Sequence, residues 1–134
     1  FNRYDLFACF IEQSLTLMND TGFMLFIQPS VFLNSKSFSK IRHHLVKEKE
    51  IISIDLLKDG VFKSAVVPTM ILGIKNNLAE KSHLIRISKS NLNNFSTIYQ
   101  TTYHSTEQNV FNLNLDLKAI NFIKKIKNNS FKIE

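Results

Sequence analysis

Cysteine, proline and glycine are scarce in this chain, with one, two and three copies among 134 residues, and tryptophan is absent. A single cysteine, Cys9, excludes a disulfide framework within the chain and any multi-cysteine metal site. That usage fits an intracellular protein, so a cytoplasmic location is expected. Gly22, Gly60 and Gly73 stand far apart, so no glycine-rich phosphate loop is present. No run of eighteen or more apolar residues occurs, which excludes a membrane-spanning helix, and no membrane partner is expected. The histidines offer no metal site either. His43 and His44 are adjacent, about 100° apart around a helix rather than the four residues apart that paired helix ligands need. His83 and His104 have no cluster of Cys, Asp or Glu to join. Structural or surface roles are expected for all four.

The chain does have positive charge and helical periodicity. Seventeen basic against eleven acidic side chains give a net charge of +6 and a sequence pI near 9.5. Such a balance fits either a polyanionic partner or a solvated basic surface. The length is that of one ordinary domain, too short for a complete two-domain enzyme. It opens at Phe1 with no signal-peptide pattern, and a piece of a longer protein is expected.

Leu6, Phe7, Phe10, Ile11, Leu15, Leu17 and Met18 recur at helical spacing, with Asn2 or Asp5 as the cap. Asn19-Asp20-Thr21-Gly22 should end this helix, with Gly22 left-handed. Phe23 to Ile27 is continuously apolar, which predicts a strand buried on both faces, and Pro29 should end it. A second helix is expected after Ser35 or Ser37, burying Phe38, Ile41 and Leu45 and exposing Lys36, Lys40, Arg42 and Lys47. Residues 51–57 read as a strand with one wetter face, Lys58-Asp59-Gly60 as a turn, and 66–74 as a strand demoted at its start by Pro68. The helical crossover makes the first two strands parallel, and the short link makes the third antiparallel. Asp55 and Asp59 read as turn and surface residues, and Cys9 as a small buried hydrophobe. Beyond Asn76 the sequence is rich in Asn, Ser and Thr, with strands expected at 83–87 and 110–115 and a lysine-bearing helix from Asp116. Residues 1–78 are thus read as a basic α/β half-domain and 79–134 as a connector towards something absent.

Several segments resemble a known family in order and spacing. They are Arg3-Tyr4-Asp5-Leu6-Phe7-Ala8-Cys9-Phe10-Ile11-Glu12, then Thr21-Gly22-Phe23-Met24-Leu25-Phe26-Ile27-Gln28-Pro29-Ser30, Phe32-Leu33, Ile41-Arg42-His43-His44-Leu45 and Asp59-Gly60-Val61-Phe62 with 65–74. Over residues 3–76 they resemble the N6-adenine DNA methyltransferases of restriction-modification systems, especially the TaqI-like branch and its restriction–methylation fusions. The resemblance implies an α/β fold. It would be the C-terminal half of an S-adenosylmethionine-dependent, Rossmann-like sheet ending in an antiparallel strand pair, followed by a mixed connector. The implied reaction moves a methyl group from S-adenosylmethionine to N6 of an adenine flipped out of double-stranded DNA, since that nitrogen is unreachable while stacked and paired.

Within that resemblance, Phe62 holds the position of an aromatic that stacks on the extruded base. Its alternative is a core aromatic capping the sheet. Phe10 matches an aromatic lining the pocket of the cofactor's adenine, with core packing as the alternative. Lys58 and Lys63 flank the implied base pocket and are placed to meet phosphates, or else are solvated turn residues. The family's glycine-bearing cofactor motif, its Asn-Pro-Pro-Tyr tetrad and a recognition domain are all missing. No catalytic residue is therefore assigned in this chain, which is expected to be inactive alone. The competing expectation is a non-enzymatic basic module, binding DNA or protein, that retains part of the fold. An unpaired apolar edge at 23–27 is expected to drive self-association, there or through the first helix.

Overall fold

The computed structural model describes residues 5–62, 67–90 and 93–115. The chain orders as α1 (Leu6–Leu17), β1 (Phe23–Pro29), α2 (Ser39–Glu48), β2 (Glu50–Leu56), β3 (Thr69–Lys75), β4 (Leu84–Lys89) and β5 (Phe95–Tyr99), with short 3₁₀ turns before α2 and after β5. The strands form one five-stranded sheet in the order β1-β3-β2-β4-β5. β3 runs antiparallel to both β1 and β2, whereas β4 pairs parallel with β2 and antiparallel with β5. The first two strands are therefore parallel, as the crossover requires, but β3 lies between them. The expected helix from Asp116 lies outside the described residues.

Register assigns the faces. Met24 opposes Ile74 and Phe26 opposes Leu72, which in turn opposes Ile54. Ile54 aligns with Ile87, and Ile85 opposes Ile98. This face meets Ala8, Ile11 and Leu15 of α1, Ile41, Leu45 and Val46 of α2, and an aromatic cluster of Phe7, Phe32, Phe38, Tyr103 and Phe111. Burying side chains of this size contributes roughly 1.5–3 kcal/mol each, so this layer dominates the stability.

The opposite face differs from the expectation for β1. Phe23, Leu25 and Ile27 point there and are exposed, so β1 is half-covered rather than buried on both sides. The continuous apolar run reports what the strand could bury, not what covers it here. Farther along the same face, small residues take over. A Cβ on Gly73 would sit 3.0 Å from Ser53 Oγ and 3.1 Å from Leu25 Cδ2, so this glycine serves close packing. Gly22 likewise serves an approach, 3.1 Å from the Asn19 carbonyl, and the left-handed glycine is Gly60 instead.

Three residues depart from their expected places. Arg42, expected on the solvated side of α2, is fully buried. Asp55, read as a surface residue, is buried on the open face of the sheet. Cys9, read as buried, is exposed. Residues 95–99 supply a further strand inside the Asn- and Ser-rich stretch, whereas 110–115 is not a strand. The Asn-rich region after residue 76 thus contributes β4 and β5 to the same sheet.

Arg42 explains its own burial. Its guanidinium donates to the carbonyls of Phe32 and Ser35 at 2.8 Å each, of Gln108 at 3.0 Å and of Asn109 at 3.1 Å. Gln108 and Asn109 both adopt positive φ, which turns two successive carbonyls toward the same fork. One side chain thus fastens the segment before α2 to the segment after β5. Burial lowers the guanidinium to about 10, so it stays charged at neutral pH.

Candidate functional site

In open α/β sheets, ligands bind where the carboxyl ends of parallel strands converge. Here that edge gathers the ends of β1, β2 and β4 and the start of β3. Backbone bonds tie its loops together: Ser30 N–H to the Pro68 carbonyl (2.9 Å), Leu57 N–H to Thr69 (3.0 Å) and Ser90 N–H to Leu56 (2.9 Å). Lys58 to Val61 close a turn through the Val61 N–H and the Lys58 carbonyl at 3.4 Å. Gly60, third in that turn, has φ of 80°, a value that glycine adopts without steric cost.

The turn forms one wall of a pocket of about 90 Å³, and Val67, Pro68 and Thr69 form the other. Small-molecule sites usually enclose roughly 300–1,000 Å³, so this edge supplies one face of a site and not a complete cavity. Phe62 lines it and is 40% exposed. Lys58 lines the same pocket. Phe10 does not: it stands 53% exposed on α1. Lys63 lies outside the described residues.

Some features of this edge were missed in the sequence. Pro68 and Thr69 were read as the weak start of a strand, yet they are a pocket wall. Gln28 closes β1 fully buried, and neither atom of its amide has a hydrogen-bond partner among the described residues. Only its place between Ile27 and Pro29 could have drawn attention to it.

Beneath the edge, the buried Asp55 carboxylate accepts from Ser53 Oγ and Ser88 Oγ, both at 2.8 Å, and from Arg86 Nη2 at 3.1 Å. This joins β2 to β4 directly below the Lys58 turn. Every histidine has a local partner: His43 bonds Asn109, His44 pairs with Glu48, and His83 and His104 bond the carbonyls of Ile51 and Val46. Among the described residues no group of three or more His, Cys, Asp or Glu could hold a metal ion. None of the described helices is long and apolar enough to cross a membrane.

Comparison with known proteins bears on this edge. The sequence model of a family described as Eco57I restriction-modification methylase matches residues 1–62, ending at the aromatic of the turn. No curated protein matches. The chain is similar in structure to the M protein of the type I restriction enzyme EcoKI, at TM-score 0.53 and 17% identity over 62% of this chain and 19% of that one. It is similar to a putative class I S-adenosylmethionine-dependent methyltransferase from Listeria monocytogenes, at TM-score 0.52 and 24% identity over 66% of this chain and 28% of that one. It is also similar to the type IIG restriction endonuclease BpuSI, at TM-score 0.53 and 16% identity over 98% of this chain and 13% of that one. The fold is therefore the one these structures share, that of part of an S-adenosylmethionine-dependent methyltransferase sheet, and the family match covers just under half of this chain. The chain spans under a third of each of these structures.

Proposed function

We propose that this chain is the C-terminal half of the catalytic domain of an adenine-specific DNA methyltransferase from a restriction-modification system, with residues 79–134 leading toward a target-recognition domain. The observation that carries the proposal is the match of residues 1–62, which closes on Phe62 at the pocket-forming turn. Phe62 then stacks on the extruded adenine, and Lys58, with Lys63, meets the phosphates around it. Stacking offsets part of the cost of unpairing and holds N6 outside the duplex, where a methyl group can reach it.

S-adenosylmethionine would supply that methyl group as an electrophile. The exposed ring of Phe10 fits the flat, apolar adenine of such a cofactor. Acceptors for the hydrogens of the target amine are not found in this sequence, so the chain by itself is expected to transfer no methyl group. Double-stranded DNA is the proposed partner of the longer protein.

A binding module that keeps only the fold is the second reading, and the exposed Lys36, Lys40 and Lys47 around α2 favour it. The two differ in where a base lands. Titrating the chain with a single-stranded oligonucleotide carrying 2-aminopurine should change its fluorescence as the base stacks. Replacing Phe62→Ala should weaken binding by roughly 5- to 150-fold, the equivalent of about 1–3 kcal/mol per stacked base. Equal affinity for both proteins would contradict the stacking role.

A further inference from the structure

Across the sheet from β1, with β3 and β2 between, the open face of β4 and β5 carries a second aromatic feature. Ser88 opposes Phe95, Arg86 opposes Thr97 and Leu84 opposes Tyr99, and Ser88 aligns with Asp55. Register thus puts these side chains on one face. Phe95 and Tyr99 are 56% and 38% exposed, and Thr97 between them is exposed too. At the rise of a strand, the two rings stand about 13 Å apart, too far for one flat ligand the size of a base to cover both. Arg86 braces the first ring. Its guanidinium carbon lies 5.8 Å from the Phe95 centroid, and its Nη2 donates to both Asp55 oxygens at 3.1 and 3.2 Å. The Asp55 cluster therefore fixes a cation against an exposed ring. Only Leu84 adds aliphatic surface; Ser88, Thr97 and Arg86 make the rest of the face polar.

Charge selects the occupant. From Lys81 to Thr106 the chain has no acidic residue, while Lys81, Arg86 and Lys89 are cationic. The carboxylates of the neighbouring β2 are engaged, Asp55 by Arg86 and Glu50 by Asn77 and His83. Exposed rings spaced along one strand, with a guanidinium between them, fit a polyanion that offers flat bases. We infer that this face is a stacking platform for unpaired bases of single-stranded DNA, with Phe95 and Tyr99 each receiving one base. Phe95 begins β5 and Phe62 follows β2, so both lie toward the carboxyl edge, with about 10 Å of sheet between the strands that carry them. The platform continues the path of the adenine proposed above to reach Phe62, and its place on that path rests on that reading.

Affinity for single-stranded DNA of two lengths tests the inference, with probes of about three and about twelve nucleotides, each centred on one 2-aminopurine. The expected result is that Phe95→Ala and Tyr99→Ala each weaken binding of the longer probe by roughly 5- to 150-fold and leave the shorter one unchanged. Phe62→Ala should weaken both. Circular dichroism checks that each variant is folded. If Phe62→Ala changes neither probe while Phe95→Ala and Tyr99→Ala weaken the longer one, the platform stands and the role of Phe62 falls. Failure of the longer probe to bind, or equal affinity in the Phe95→Ala and Tyr99→Ala proteins, would overturn the platform and leave this face to another stretch of polypeptide.

Discussion

Arg42→Ala is expected to remove about 3–5 kcal/mol of stability, a large share of the roughly 5–15 kcal/mol typical of a domain. The side chain is fully buried and donates to four backbone carbonyls. Deleting it leaves those oxygens desolvated without donors, at about 1–3 kcal/mol for each that water cannot reach. It also frees Gln108 and Asn109, whose left-handed backbone is sustained only by what it bonds. Arg42→Lys keeps the charge but not the planar fork, so it should recover only part of the loss. Urea unfolding followed by circular dichroism measures both. A loss below about 1 kcal/mol for Arg42→Ala would show that the segments around α2 hold without the guanidinium.

The second large effect falls on Asp55. Asp55→Ala should cost about 2–4 kcal/mol, because charge-assisted hydrogen bonds contribute roughly 1.5–3 kcal/mol each and two buried hydroxyls lose their acceptor. The loss stays below that of Arg42 because Arg86 is 40% exposed and also lies over the Phe95 ring, so the loss of the carboxylate does not leave a buried charge behind. Asp55→Asn retains the shape and one acceptor oxygen and should cost less. Since Asp55 lies below the Lys58 turn, hydrogen exchange in the Asp55→Ala protein should rise first at the ends of β2 and β4. Uniform acceleration across the sheet would mean that the cluster serves global stability alone.

Much of this architecture was legible in the sequence, for identifiable reasons. The crossover helix made β1 and β2 parallel, and the short link after Gly60 made β3 antiparallel; both hold. What stayed hidden depended on partners distant in sequence. The charge of Arg42 marked it for the surface, and only the carbonyls of Gln108 and Asn109, 66 and 67 residues later, make its burial tolerable. Asp55 looked like a turn residue until Ser88 and Arg86 arrived on β4. β5 was hidden by the Asn- and Ser-rich stretch that precedes it, although Phe95, Thr97, Ile98 and Tyr99 are themselves residues that favour strands. At the candidate site, motif order put Lys58 and Phe62 on one turn, and both line the same pocket. Its second wall, Val67 to Thr69, was not found, because strand patterning does not reveal which loop a strand start will face.

The central claim is that an adenine is received at the turn before β3. The most direct test is photo-crosslinking of the chain to a single-stranded oligonucleotide bearing one 8-azidoadenine, with the adduct located by mass spectrometry. An adduct within residues 58–69 that is lost in Phe62→Ala is the predicted result. An adduct on the lysine-bearing face of α2, unchanged in that variant, would contradict it and make the chain a basic binding module instead.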